Sequence, residues 1–286
     1  MTPFSKPLFL LAAGLFLQTR VLAQAPIIFS GSNAQDSPRT TAPMQVVKKP
    51  LVKKPKSIAN ELSFGIRLNT DGWSIFADRG YVVTEETKYR EMFHDVRVFQ
   101  AELGERKHPK EIRSTINGDP QRTKPFVYGK VANFYPFKLG YGKRKMIAGK
   151  PESGTVSVHW VYVGGLALGL EKPYYIQAMV LDRNTGRFSQ ETIKYSEETK
   201  EPFLTEELIV GAAGFSEGLK EIKFVPGVQA KTGLHFDFSQ RKKTKLALEI
   251  GLNGELYTRR IQMMANQKAL PYAANVYASV QFGKRW

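Results

Sequence analysis

Hydrophobic and polar residues alternate along most of the chain after roughly its first sixty residues. In the first such segment, Phe64, Ile66 and Leu68 are separated by Gly65 and Arg67. A period of two is that of a β-strand whose two faces meet different surroundings. The alternation predicts eight strands, over Glu61–Asn69, Trp73–Val83, Phe93–Glu105, Lys124–Gly142, Thr155–Leu170, Val228–Ser239, Leu246–Leu256 and Val276–Phe282.

The number and length of these strands predict an all-β fold, a transmembrane antiparallel up-and-down β-barrel. Several strands have ten or more residues, enough to cross a bilayer at a tilt of about 45°. An even number of strands brings both ends of the barrel to one side. The long connections, above all the insertion 171–227, then fall on the other side. Long outer loops and short periplasmic turns are typical of outer-membrane barrels.

The long insertion leaves the number of strands open. Within it, Tyr174–Leu181 and Phe188–Tyr195 alternate like strands around the turn sequence NTG, as in a hairpin. If both segments joined the wall, the barrel would have ten strands. We favour eight, with this hairpin projecting beyond the membrane.

Alternation alone does not decide which face of the wall points outward. A soluble ligand-carrying barrel of the lipocalin kind turns its apolar face toward a cavity, whereas a membrane barrel turns it toward lipid. The long strands and the aromatic residues near the C-terminus favour the membrane barrel. So does the polar face, which is rich in glycine and in charges of both signs. We therefore expect the apolar face to meet lipid.

The polar face is then expected to fill the interior, because an eight-stranded barrel is filled by its own side chains. Charges of both signs in such an interior must pair, since an unpaired buried charge is very costly. The predicted lumen residues are Arg67, Asp78, Glu102, Lys130, Lys138, His159, Lys231, His235, Asp237, Glu249 and Glu255. We expect them to form an ion-pair network that closes the barrel, with a narrow channel as the alternative.

The N-terminus has the features of a secretory signal peptide over residues 1–23. Lys6 precedes the apolar run Leu8–Leu17, which is too short for a transmembrane helix, and the sequence VLA offers a cleavage site before Gln24. Residues 24–60 lack periodicity and are rich in proline and lysine, so we predict a disordered periplasmic linker. Its lysines are Lys48, Lys49, Lys53, Lys54 and Lys56. The linker is either a passive leader or an arm that binds a partner.

The chain has a formal net charge of +16 and no cysteine. The lack of cysteine excludes disulfides and N-terminal lipidation at a lipobox. Nucleic acid is not expected as a partner, because the basic residues concentrate in the linker and in a few turns of an exported protein. Two basic segments, predicted as periplasmic turns, are candidate partner-binding sites: Lys143, Arg144, Lys145, Arg241, Lys242 and Lys243. Anchoring against phospholipid headgroups is the alternative role for them.

His108 is the best candidate for catalysis. It lies in a predicted outer loop near Glu105 and Glu111, where a lipid-modifying enzyme would place its site. No Ser-x-His or Gly-x-Ser-x-Gly spacing accompanies it, so we favour a solvated charged loop. The glutamates between positions 197 and 207 do not match a calcium loop. We therefore predict neither a metal site nor a cofactor.

Several segments resemble a family of outer-membrane β-barrel proteins from the Bacteroidota. They are Gly104–Arg113 (GERKHPKEIR), Val127–Tyr135 (VYGKVANFY), Leu139–Gly142 (LGYG), Gly164–Tyr175 (GGLALGLEKPYY), Lys223–Gly227 (KFVPG) and the closing FGKRW. The likeness covers about residues 61–286. It implies a barrel in the cell outer membrane, and it assigns no activity or functional residue.

Together these features predict a non-enzymatic outer-membrane barrel that anchors or scaffolds a cell-envelope complex. Its linker and basic turns would dock periplasmic protein partners, while outer-membrane lipid surrounds its wall. The alternatives are an enzyme that modifies lipid A, either an acyltransferase or a deacylase, and a narrow channel.

Overall fold

A closed antiparallel β-barrel of eight strands forms the main body of the protein. The computed structural model describes residues 60–83, 95–115, 124–149, 155–181, 186–239 and 243–286. The wall strands are β1 (Asn60–Asn69), β2 (Gly72–Val83), β3 (Asp95–Arg106), β6 (Ala132–Ala148), β7 (Ser157–Pro173), β11 (Lys223–Asp237), β12 (Thr244–Ile261) and β13 (Leu270–Arg285). Each pairs with the next along the chain, and β1 closes on β13. The prediction of an eight-stranded up-and-down barrel is confirmed, whereas the signal peptide and nearly all of the linker lie outside the described residues.

The register of the pairs determines the tilt of the strands. Register partners followed from Glu61 through all eight strands lead to Asn275 on β13, whereas the direct partner of Glu61 on β13 is Arg285. The offset is ten residues (285 − 275). With a rise of about 3.3 Å per residue and about 4.8 Å between strands, it tilts the strands by about 40° from the barrel axis. This tilt lies in the range of membrane barrels.

The two faces of the wall have opposite polarity. Phe64, Leu166 and Leu252 point outward and are 59%, 67% and 59% exposed. The residues between them on each strand point inward, and most of the polar or charged ones among these are almost fully buried. The lipocalin-like alternative is therefore wrong, because the apolar side chains face away from the interior.

The long insertion folds outside the wall. β8 (Tyr175–Leu181), β9 (Phe188–Lys194) and β10 (Ile209–Ala212) form a three-stranded sheet in the order β10-β8-β9. A short helix, α1 (Lys200–Leu204), packs Phe203 against this sheet together with Ile176 and Ile209. The ten-stranded alternative is thus excluded. No helix in the described ranges is long and apolar enough to cross a membrane.

The fourth wall strand begins later than predicted. Gly129 has a φ of 68°, in the left-handed region, and ends the short strand β5 (Phe126–Val127), which pairs with β4 (Arg113–Ser114). The wall strand β6 starts only at Ala132. Regular alternation across residues 127–135 concealed this turn, for which Gly129 was the available signal.

Candidate functional site

Fully buried charged residues of both signs occur in equal number in the barrel interior, and Arg285 near the C-terminus is a further, partly buried cation. In the described part of the wall, six carboxylates and six cations face the lumen and are buried. The carboxylates are Glu61, Asp78, Glu102, Asp237, Glu249 and Glu255; the cations are Arg67, Arg106, Lys138, Arg144, Lys231 and Lys245. The buried lumen charges therefore sum to zero. We call the barrel end with Asn60 and Trp286 the termini end, and the end with the β1–β2 turn the hairpin end.

Arg67 is the centre of the network. Its guanidinium pairs with Glu102 and lies 3.6 Å from Glu249. The same group lies 4.5 Å from the ring centroids of both Phe76 and Tyr277. Lys231 adds a second cation, with Nζ 3.3 Å from Glu249. Arg67 therefore joins opposite walls of the barrel through charge and through its stacking on aromatic rings.

Glycines make room for this arrangement. Gly233 and Gly251 are register partners that both face the lumen. A Cβ on Gly251 would lie 2.7 Å from the Tyr277 hydroxyl oxygen. That hydroxyl donates a 3.0 Å hydrogen bond to Glu249. Tyr277 can lie across the strands only because the wall beneath it has no side chains.

Toward the hairpin end, Lys138 bridges two carboxylates. Its Nζ lies 2.6 Å from Glu102 and 3.1 Å from Glu255. Arg106 also pairs with Glu255 and lies 3.1 Å from Asp71 in the β1–β2 turn. A hydrophobic cluster that includes Phe134, Val225, Tyr257 and Met264 is packed beyond this layer. The lumen is thus blocked by charges and then by apolar side chains.

Toward the termini end, Glu61 collects three cations. It pairs with Arg144, while Lys245 Nζ lies 2.9 Å away and Arg285 Nε lies 3.3 Å away. Arg144 also contacts Asp78 at 2.6 Å. These residues belong to the first, last and intervening strands, so the cluster ties the barrel seam together.

Two sequence-based site assignments need correction. Arg144 was predicted to bind a partner from a turn, but β6 continues to Ala148 and turns this side chain into the lumen. Lys130 was predicted to lie in the lumen, but it precedes β6, forms an isolated bridge with Met264 and pairs with Glu111 at 2.8 Å. Continued alternation places Arg144 inside, and the turn at Gly129 removes Lys130 from the wall.

The other predicted lumen residues do face the interior. Those in the network described above are Arg67, Asp78, Glu102, Lys138, Lys231, Glu249 and Glu255. Asp237 pairs with Arg285. His235 Nδ1 lies 3.1 Å from Glu249, and the rings of His159 and His235 meet edge to face with centroids 6.0 Å apart. Glu61, Arg106 and Lys245 were not among the predicted lumen residues, although each occupies an inward position of its strand.

His108 lies in a turn stabilised by its own neighbours. Its backbone N–H donates to the Glu111 carboxylate at 2.9 Å, and its Nδ1 accepts from the Lys110 backbone N–H at 3.2 Å. Among the described contacts, no serine hydroxyl is hydrogen-bonded to this ring. Within the same ranges, no cluster of three or more His, Asp or Glu side chains is arranged to hold a metal ion.

The predicted docking lysines are only partly described. Lys143 and Lys145 are exposed on the outer wall of β6, and Lys243 is exposed just before β12. Arg241, Lys242, Lys48, Lys49, Lys53, Lys54 and Lys56 lie outside the described residues. The structure therefore brings no continuous set of these cations together.

A polar contact ties the insertion to the start of β11. Lys194 and the Tyr175 hydroxyl both donate to Glu221, the latter at 2.9 Å. The hydrogen bond from Lys194, followed by that from Tyr175, lowers the pKa of Glu221 below its ordinary value. The carboxylate therefore stays charged to lower pH than a free glutamate does.

Comparisons with known proteins return structural likeness alone. No protein-family profile matches the chain, and no curated protein sequence matches it. The N-terminal β-barrel domain of Pseudomonas aeruginosa OprF is similar at 9% identity and a TM-score of 0.33, covering 80% of this chain and 98% of that one. Neisserial surface protein A is similar at 8% identity and a TM-score of 0.35, covering 80% and 97%. Neither likeness assigns a role to a residue of this chain.

Proposed function

We propose that this chain is an integral outer-membrane β-barrel that serves as the anchor or scaffold subunit of a cell-envelope complex. The observation that carries the proposal is an apolar outer wall around a closed, charge-balanced lumen. An outward belt of Leu, Ile, Val and Phe side chains suits the hydrocarbon of a bilayer. Tyr81, Trp160 and Trp286 near the termini end match an interfacial aromatic girdle.

The closed lumen favours anchoring over transport. Arg67, Lys138 and Arg144 each contact two carboxylates across the interior. A diffusing solute would have to separate these buried pairs, and a buried charge left without its partner costs about 3–5 kcal/mol. The barrel interior therefore serves to hold the wall together.

The segments at the termini end would bind the periplasmic partner. Lys143 and Lys145 project from the wall, so a periplasmic partner would meet the turn containing Lys243 and the linker lysines instead. Five lysines between positions 48 and 56 would attract an acidic protein surface. Asn60 and Trp286 lie at the same end of the barrel, which we assign to the periplasm, and we propose that the linker preceding Asn60 lies on that side too. Membership of the Bacteroidota family remains a prediction.

A crosslinking pull-down from native outer membranes tests the docking role. Full-length protein is compared with a variant carrying Lys→Gln at 48, 49, 53, 54 and 56, and with a matched variant carrying Lys→Arg at the same positions. We expect a defined set of periplasmic proteins that the glutamine variant loses and the arginine variant keeps. Identical profiles for all three proteins would overturn the docking proposal.

A further inference from the structure

The outer wall carries two adjoining apolar grooves. Ala77 on β2 and Ala101 on β3 are register partners that both point outward, and their small side chains leave a depression in the belt. The upper groove lies toward the hairpin end and has a volume of about 630 Å³. It extends from the two alanines toward Phe64, Ile75 and Leu103, among others. The lower groove lies toward the termini end and has a volume of about 430 Å³. It runs from the same two alanines along Arg79, Phe99, Leu139 and Tyr141, among others. The shared floor makes them one furrow.

Cations lie at the termini end of this furrow. Arg97 on β3 and Lys143 on β6 are direct register partners, and both side chains are exposed on the outer wall. Side chains at such positions have Cβ atoms about 4.5–5.5 Å apart, where like charges destabilise the pairing. Among the described residues, neither cation has a carboxylate partner. The lumen cations described above all pair with carboxylates. Arg97 and Lys143 differ from them, because these two outer-wall cations lie side by side without one.

The cations and the furrow are continuous. Phe99 and Tyr141 are the next outward residues after Arg97 and Lys143, and their rings lie 5.0 Å apart on the wall of the lower groove. Arg79, opposite Phe99, lies on the same groove, with its guanidinium 5.6 Å from the Tyr81 ring and 5.3 Å from the Trp286 ring. Three cations therefore surround the mouth of an apolar furrow that leads toward the middle of the belt.

We propose that this surface binds one anionic phospholipid of the periplasmic leaflet. Its phosphate would lie against Arg97, Lys143 and Arg79, and its acyl chains would lie in the furrow above Ala77 and Ala101. The phosphate supplies the negative charge that the Arg97–Lys143 pair requires. Tyr81 and Trp286, next to Arg79, would lie at the depth of the lipid headgroups. The inference rests on the proposed membrane location, because only then does the furrow face hydrocarbon.

Native mass spectrometry of the full chain in detergent micelles tests the site. The micelles are doped with phosphatidylglycerol or with phosphatidylethanolamine of identical acyl chains. We expect phosphatidylglycerol to be retained about tenfold better by the wild-type protein, and this preference to disappear in R97Q/K143Q. R260Q/K268Q removes two exposed cations at the hairpin end, away from the furrow mouth, and is the matched control, which should keep the preference.

Two further arms distinguish a bound lipid from a bound free anion. A77L/A101L fills the furrow without changing any charge and should lower retention of phosphatidylglycerol by a similar factor. Inorganic phosphate should not displace the lipid, and displacement by it would show a free-anion site and overturn the proposal. Equal retention of both lipids by the wild-type protein, or equal losses in R97Q/K143Q and R260Q/K268Q, would overturn it too.

Folding and membrane insertion are checked separately. Each variant is first refolded into phosphatidylcholine vesicles and scored by its unheated gel mobility. If R97Q/K143Q does not fold, the wild-type preference must instead vanish at high salt, and its persistence there would count against the site. If the wild-type chain inserts but has no lipid preference, the lipid site alone fails. If the wild-type chain does not insert, the proposed membrane function fails and the lipid site fails with it.

Discussion

At the residue scale, stability depends on carboxylates that each satisfy several donors. Glu102 is buried and accepts from Ser74 at 2.9 Å, while it pairs with Arg67 and with Lys138. Removal of its charge would leave two cations without full compensation in a low-dielectric interior. Breaking a buried pair costs more than the pair itself contributes, because the remaining charge stays buried.

We therefore predict that Glu102→Gln lowers the free energy of unfolding by about 3–5 kcal/mol. The measurement is urea-induced unfolding from lipid vesicles, followed by tryptophan fluorescence. Arg259→Gln is the control, because Arg259 pairs with Glu171 while 43% exposed, and its loss should cost less than about 1 kcal/mol. Equal effects of the two substitutions would contradict a stabilising lumen network.

Side-chain direction was predictable from the sequence, whereas the partners were not. Strict alternation correctly points Arg67, Lys231 and Glu249 inward. Glu61 and Lys245, however, are 184 residues apart, and they meet because of the barrel register. A ten-residue offset around the barrel is a property of the closed sheet that no local pattern encodes. The sequence therefore predicts that the lumen charges pair, but not which acidic residue contacts which basic residue.

At the scale of elements, the insertion is a small packed unit with its own hydrophobic cluster. Phe203 on α1 is 1% exposed and meets Tyr195 edge to face, with ring centroids 5.6 Å apart. Phe188, at the start of β9, is 56% exposed. The alternation of β8 and β9 predicted the hairpin, but α1 and β10 were missed because each has only four or five residues.

We predict that Phe203→Ala loosens this sheet and leaves the barrel intact. Replacing a buried phenylalanine by alanine costs about 3–5 kcal/mol. Because the Phe203 cluster lies outside the wall, this loss should destabilise the insertion and not the barrel. Hydrogen–deuterium exchange should accelerate in β8, β9 and β10 and stay unchanged in β12. Phe188→Ala is the control and should leave the exchange of the three strands as in the wild type. Faster exchange throughout the barrel would contradict independent packing.

At the scale of the whole molecule, the charge is divided between an inner and an outer part. The fully buried lumen charges balance, so nearly all of the net charge of +16 belongs to the outer wall, the loops and the N-terminal segment. Composition indicates a basic protein, but it does not tell which charged residues lie in the lumen and which lie outside it. The basic run 143–145 shows the difficulty, because its outer residues face outward while Arg144 completes the lumen network.

The central claim is that the apolar face of the barrel meets lipid. A cysteine scan along β12 tests it directly, since the chain has no native cysteine. Spin labels at Leu246, Leu248, Ile250 and Leu252 would probe the outer face, and labels at Ala247 and Asn253 would probe the lumen. In phospholipid vesicles we predict that labels at the four outer positions have high accessibility to oxygen and low accessibility to a water-soluble nickel chelate. Labels at the two lumen positions should have low accessibility to both reagents. High nickel accessibility at the outer positions would contradict a membrane-spanning barrel.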